Sequence, residues 1–475
     1  MGIRNRGLKL VAPRVTPVLE PTFRPAVLAC RAFQESVKAA GGGVPIAIAL
    51  EQADGSIFRF ATSVLPAGHP DAEANFIYVE RWLKFLLWSR GGFRIHFCGP
   101  KDLADALQKH YAEHPTGKFD ANIMGDRVYE RRFEVVHTPD SQALPPECSR
   151  TQPLGRHLRG CRIGFDLGGS DRKVAAVVDG QAVFSEEVVW SPIPQKDPQW
   201  HFDEILDGLK RAAAHLPRVD AIGGSAAGVY VNNRVKVASL FRGVPPDLFE
   251  SRVKDIFLEL RKAWNGIPFE VVNDGEVTAL AGSMSLGANG VLGIALGTST
   301  AGGYVTPEGN ITSWLNELAF VPVDFHPQAA VDEWSGDYGC GAKYFSQQCV
   351  GRLVELAGIE VPPATPLPEI LKHVQALAAE GDYRALKIYQ SIGVYLGYAV
   401  AHFSDFYDSR HVLILGRVTS GPGGDVILDE ARRTLALEFP DLAARISFHT
   451  SDEKDKRHGQ AIAAASLPIV PGLDA

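Results

Sequence analysis

Four short stretches of this chain combine residue types that can hold a phosphate or move a proton. In the first, an apolar run ends in Asp166, and Gly168, Gly169, Ser170 and Lys173 follow closely. Paired glycines let a backbone turn with positive φ and bring N–H groups near a phosphate. Ser170 would add a hydroxyl donor, and Lys173 can neutralise phosphate oxygens. A tight hairpin turn with solvated charges explains the same residues. In the second stretch, FEVVND (269–274) is an apolar strand ending in Asn273-Asp274, and a helix rich in small residues begins at once. Asp274 is thereby placed at a helix N-terminus, where the dipole favours the ionised carboxylate. That is the form a general base needs to take a hydroxyl proton. Capping of the helix by Asn273 or Asp274 is the alternative. Both can hold, because capping and catalysis can use different atoms.

The third stretch is the small-residue run Gly297, Thr298, Ser299, Thr300, Ala301, Gly302, Gly303 between two apolar runs. Consecutive backbone amides and hydroxyls suit nucleotide phosphates, and the run is longer than a plain hairpin turn needs. The fourth carries Gly416, Gly421, Gly423 and Gly424 between the apolar run HVLIL and a helix. A glycine-rich strand-to-helix turn offers a flat surface for an adenine ring and a helix N-terminus facing phosphate.

These tips need strands and helices to hold them. From Cys161 onward apolar β runs alternate with amphipathic helices, at 203–216 and as one long helix at 248–266 that Gly266 ends. Such alternation implies mostly parallel sheets with ligands at the carboxyl ends of the strands. Residues 1–140 read as a separate mixed α/β unit: a hairpin around Ala53-Asp54-Gly55, a helix over 76–92 ending on Gly91-Gly92, a strand at 93–99, a helix at 100–114 and a strand at 127–138. A proline-rich stretch, 141–159, links the two parts. The rest divides into lobes at 160–280 and 281–465, the terminal helix being free to return to the first lobe, and a tail at 466–475.

The chain has 475 residues, 48 Lys+Arg against 55 Asp+Glu and a net charge of -7. That is about three domains' worth at roughly 150 residues each. Hydrophobic residues at 45% and charged residues at 22% exclude wholesale disorder. The mild acidity argues against nucleic-acid or anionic-membrane partners. Cys30, Cys98, Cys148, Cys161, Cys340 and Cys349 show no C-x-x-C spacing and read as reduced thiols of a cytoplasmic protein. The basic first 19 residues read as an ordinary terminus, with a transit peptide as the alternative. No apolar run approaches the ~20 residues of a bilayer span, so a soluble protein is expected.

In their order along the chain, the four stretches resemble the sugar-kinase side of the actin-like ATPase superfamily, specifically the ROK (repressor, ORF, kinase) family, over about 160–465. The resemblance implies an α/β fold of two ribonuclease-H-like lobes with an interlobe cleft, here preceded by the additional N-terminal α/β unit. It implies ATP in the cleft, Mg²⁺ near Asp166, and a small-molecule sugar as partner. Residues 166–173 and 297–303 would be the phosphate loops, and 416–424 the adenosine site. Asp274 would match the catalytic base, and Asn273 a contact to a sugar hydroxyl. Ser225 and Asn233 fall on segments expected to line the sugar. A homodimer is left open.

Several positions depart from the family pattern. Glu317 is kept as a sugar ligand, but Phe320 replaces the histidine that binds sugar and zinc. Only Cys340 matches a zinc ligand, and one thiolate cannot make a four-ligand site, so no zinc is expected. Ala342 stands where another sugar-contacting glutamate would be, and Ser299 and Ala301 replace usual glycines. Asn232 and Asn233 also read as a plain turn, and Ser225–Gly228 lacks the family's proline. Glu333 and Asp337 are candidates to replace lost hydroxyl contacts, or solvated loop acids. His402 reads as a satisfied core histidine, Trp82 and Trp88 as core. The expected activity is phosphorylation of a sugar hydroxyl, and a non-catalytic sugar or nucleotide sensor of the same fold is the alternative. A repressor's helix-turn-helix is not legible in 1–140.

Overall fold

A computed structural model describes residues 7–149, 154–450 and 453–474. The expectations for residues 1–6 and for 150–153 of the linker lie outside the described residues. Four-stranded, five-stranded and four-stranded sheets follow one another along the chain, with a two-stranded ribbon beside the second. In the N-terminal unit the strand order is 57–64, 44–51, 94–98, 134–137. The hairpin, the helix Ala74–Arg90 with Gly91 as its C-cap at φ 80°, and the helix Lys101–Glu113 fall where the sequence places them.

The five-stranded sheet runs Phe269–Asn273, Ala221–Ala226, Cys161–Leu167, Asp171–Val178, Gln181–Val189. Its first three strands are parallel and its last two antiparallel. The third sheet pairs Val291–Leu296 antiparallel with Thr300–Val305 and parallel with His411–Leu415, which pairs parallel with Ser447–Thr450. Each sheet is thus mixed, because hairpins widen the parallel core that the strand–helix alternation predicts.

Two expected elements differ. Residues 127–138 are not one strand: 122–129 is helical, Glu130 at φ 52° ends it, and only Glu134–His137 is extended. The expected long helix over 248–266 is broken into Pro246–Leu248, Phe249–Val253 and Ile256–Ala263. Its break has a local cause: the Lys254 carbonyl accepts from Val235 N–H at 3.0 Å, so the edge of the two-stranded ribbon draws it out of the helical ladder.

The distribution of the apolar core is less local. One hydrophobic cluster takes in residues of the N-terminal unit, from Leu8 to Val128, together with residues of the last sheet and its helices, from Leu292 to Phe448. A separate cluster fills the five-stranded sheet and its helices. Helix Ala74–Arg90 is buried nearly all round, as an interior helix must be. Trp82 and Trp88 are core, as expected. His402 is core but not satisfied. It stacks on Trp82 at 4.9 Å, both ring nitrogens lack a partner, and burial pulls its pKa down to about 3. No helix among the described residues is long and apolar enough to cross a membrane.

Candidate active site

The three parallel strands of the five-stranded sheet set the geometry. Register pairs Asp166 with Ser225 and Ser225 with Val272, so Asp166, Ala226 and Asn273 reach one edge at the strands' carboxyl ends. Asp166 is 7% exposed; it accepts from Ser225 Oγ at 2.6 Å and lies 3.7 Å from Lys173 Nζ. Lys173 is also 3.2 Å from Asp171. Ser225, fully buried, is therefore the hydroxyl that orients Asp166.

Asn273 is the N-cap of helix Asp274–Leu286: its Oδ1 accepts from Gly275 N–H at 2.7 Å, while its amide donates to the Gly228 carbonyl. Asp274 is the first helical residue and half-buried. Burial, and after it the charge of Asp166, push Asp274 up to about 6. Burial and then the charge of Asp274 push Glu317 up to about 7. The sequence reading missed a further carboxylate. Glu276, 4% exposed, is held by the Asn316 amide, which in turn accepts from Tyr407 Oη at 2.7 Å, and burial pushes it up to about 8. Its signal was a second acid, two residues after Asp274, in a helix otherwise made of small and apolar residues.

The glycine turns divide their work. Gly169 and Ser170 are exposed at the tip of the first hairpin, but neither Gly168 nor Gly169 takes a left-handed φ, contrary to expectation. Ser170, Asp171 and the Trp190 indole, which donates to the Gly168 carbonyl at 2.7 Å, hold the turn without it. In the second run, Thr298 and Ser299 are exposed at the turn, whereas Thr300, Gly302 and Gly303 are buried strand. A Cβ on Gly303 would lie 2.1 Å from the Gly275 carbonyl, so small residues there let the strand approach the helix that carries Asp274. Gly416, at φ 103°, packs on the Leu296 carbonyl, which sets the third turn beside Gly297. Gly421 is the exposed N-cap of helix Pro422–Glu438; Gly423 faces the Tyr389 ring and Gly424 the Thr419 carbonyl.

Asn232 and Asn233, at φ 53° and 61°, make the turn of the two-stranded ribbon. Asn233 is buried, and its amide exchanges hydrogen bonds with the backbone of Phe269 and Val271. Its side chain fastens the ribbon to the strand that ends in Asn273. A cavity of about 690 Å³ lies beyond, lined by Asn273, Glu276 and Glu317 from the lobes and by Tyr129, Glu130 and Arg131 from the N-terminal unit.

Glu317 owes its place to that unit. The last carbonyls of helix Ala74–Arg90, which have no partner within a helix, accept from the N–H groups of Leu315, Asn316 and Glu317 at 3.3, 3.0 and 2.9 Å. Phe320 is buried with its ring 4.1 Å from that of Trp88. Asp337 is not a solvated loop acid: it is 1% exposed, bound through both oxygens by Arg81 at 3.0 and 3.1 Å and 3.4 Å from Lys84. Against a burial that would raise it, the charges of Arg81 and Lys84 hold its carboxyl well below the usual range. Lys84 also binds Asp120 at 2.7 Å, and Arg81 binds Glu80. Glu333 instead pairs with Lys343. Among the described residues no group of three or more His, Cys, Asp or Glu is placed to hold a metal ion.

Two successive mixed sheets, with carboxylates at the carboxyl ends of the parallel strands in the first, are the arrangement of an actin-like α/β fold. Within that class the chain is similar to ROK-family sugar kinases over about two thirds of its length. A glucokinase from Halalkalibacterium halodurans is 26% identical over 303 residues, 60% of this chain and 88% of the glucokinase. A ROK hexokinase from Thermus thermophilus superposes with a TM-score of 0.50 at 19% identity, covering 64% of this chain and 97% of the hexokinase. A ROK-family transcriptional regulator, a homologue of the E. coli MLC protein, superposes with a TM-score of 0.51 at 19% identity, covering 67% and 80%. No protein-family model matches the chain.

Proposed function

We propose that this protein is an ATP-dependent phosphotransferase acting on a hydroxyl of a sugar or sugar derivative. The observation that carries the reading is the convergence of Asp166 and Asp274 on one sheet edge beside a cavity that Asn273 and Glu317 line. In this reading Asp274 accepts the hydroxyl proton as the oxygen attacks the γ-phosphate. Asn273 and Glu317 hold other hydroxyls of the acceptor. The exposed turns at 168–170 and 297–299 face the phosphates, with Lys173 offsetting charge, and the turn at 416–421 takes the adenosine. Ser225 and Asn233 act one step back, by orienting Asp166 and the strand of Asn273.

Burial, and after it the charge of Asp166, disfavour the ionised form of Asp274, and two carboxylates so placed fit a hard cation bound partly through water. Asp166 would hold a Mg²⁺ there, which when bound neutralises charge on the transferring group. The likeness to the glucokinase supports the reaction class. A coupled assay for ADP over a panel of hexoses and amino sugars tests it, and turnover of none would defeat it. The sensor alternative draws on Phe320, spent on core packing where a sugar-binding histidine was expected. Calorimetry showing sugar binding without ADP release would establish that alternative.

The reading fixes a pH dependence. Only the ionised form of Asp274 can accept a proton, so kcat/KM should fall about tenfold per pH unit below its folded value near 6 and level off above it. An acid limb near 4 instead would mean that the titrating base is a solvated carboxylate elsewhere.

A further inference from the structure

The N-terminal unit lines the cavity together with residues of both lobes. The hairpin turn at 52–54 and the end of the helix at 128–131 line it opposite Asn273 and Glu317. Glu130 stands at the corner. Its carboxylate meets Lys236 Nζ at 3.0 Å and Lys254 Nζ at 2.8 Å, both from the first lobe. Among the described residues these are the ion pairs that join the N-terminal unit to the first lobe. Lys236 is 7% exposed, and a buried lysine needs such a partner. Lys254 is the residue at which the expected helix breaks, and Glu130 ends its own helix in the left-handed conformation. Each partner thus sits at an interruption of regular structure, where a side chain can be aimed across a gap.

The unit shares its apolar core with the second lobe and holds Asn316 and Glu317 through the carbonyls of 88–90. It is therefore built onto the second lobe, and its contact with the first lobe runs through Glu130 and Lys236, which both line the cavity. We propose that the N-terminal unit is a working part of the acceptor site: it supplies the third wall of the cavity, and Glu130, clasped by Lys236 and Lys254, closes that wall onto the first lobe. What fills the cavity rests on the phosphotransferase reading. At about 690 Å³ the cavity falls in the range of roughly 300–1,000 Å³ that takes ligands of drug size. Acceptor binding, and not nucleotide binding, is what the wall controls.

Two measurements on the full chain test this. In steady-state kinetics, Glu130→Gln should raise the acceptor KM about tenfold with the ATP KM unchanged, and the conservative Glu130→Asp, which keeps the charge both lysines meet, should recover most of the loss. An unchanged acceptor KM, or equal rises for both substrates, overturns the proposal. Hydrogen exchange with saturating glucose, mannose, glucosamine or N-acetylmannosamine reads the wall without turnover. Protection of 128–131 alongside 312–317 is the expected result, and 128–131 left unprotected by every sugar overturns the proposal. If 128–131 are protected but no sugar yields ADP, the wall stands and the phosphotransferase reading fails. If ADP forms and 128–131 stay unprotected, the reverse holds.

Discussion

Replacing Asp274 by Asn should lower kcat by about 10²–10⁴-fold while ADP binding, followed by calorimetry, stays as in the parent chain. The substitution keeps the shape of the side chain and its place as first residue of helix Asp274–Leu286. Asn273, not Asp274, supplies the main cap, so the helix N-terminus keeps its acceptor for Gly275 N–H. What is lost is a carboxylate able to take a proton. Retained turnover would move the base elsewhere, and Glu317 and Glu276 would be the next candidates, since both carboxylates line the same cavity.

The second large effect concerns stability. Arg81→Met should cost roughly 3–5 kcal/mol, because it strands buried charge that no solvent can reach. Arg81 lies 4% exposed between Glu80 and Asp337. Without it, Glu80, Asp120 and Asp337 would face Lys84 as the one formal cation of the network. Guanidinium denaturation followed by tryptophan fluorescence checks this, with Trp82 and Trp88 on the same helix as reporters. The exposed pair Lys101–Asp105 is the control, and breaking it with Lys101→Ala should leave the midpoint in place. Equal midpoints for the two variants would show that the network is dispensable.

The chemistry-bearing tips were legible because each is local. An apolar run followed by Asn-Asp, or by paired glycines, states both the strand and its end, and sheet register alone then brings Asp166 level with Val272, one residue short of Asn273. What the glycines do there was only half legible. Gly303 and Gly423 look like further loop residues in sequence, yet each buys close approach between elements, a property that depends on what packs opposite. The role of 74–90 was not legible, since Asp337 and residues 315–317, which it holds, lie more than two hundred residues away. A signal was present all the same: Glu80, Arg81 and Lys84 interrupt a helix apolar on every face, and charges in such a helix must find partners. The break at Lys254 was equally hidden, being imposed by Val235 from the neighbouring ribbon.

The apolar interior that residues 8–128 share with residues 292–448 bears on how such a chain can be handled. Truncation at the proline-rich stretch would not release a self-contained remainder. It would bare a broad oily face on the remainder, an invitation to self-association. Each surface is the other's solvent shield, so losing either would leave the other bare to water.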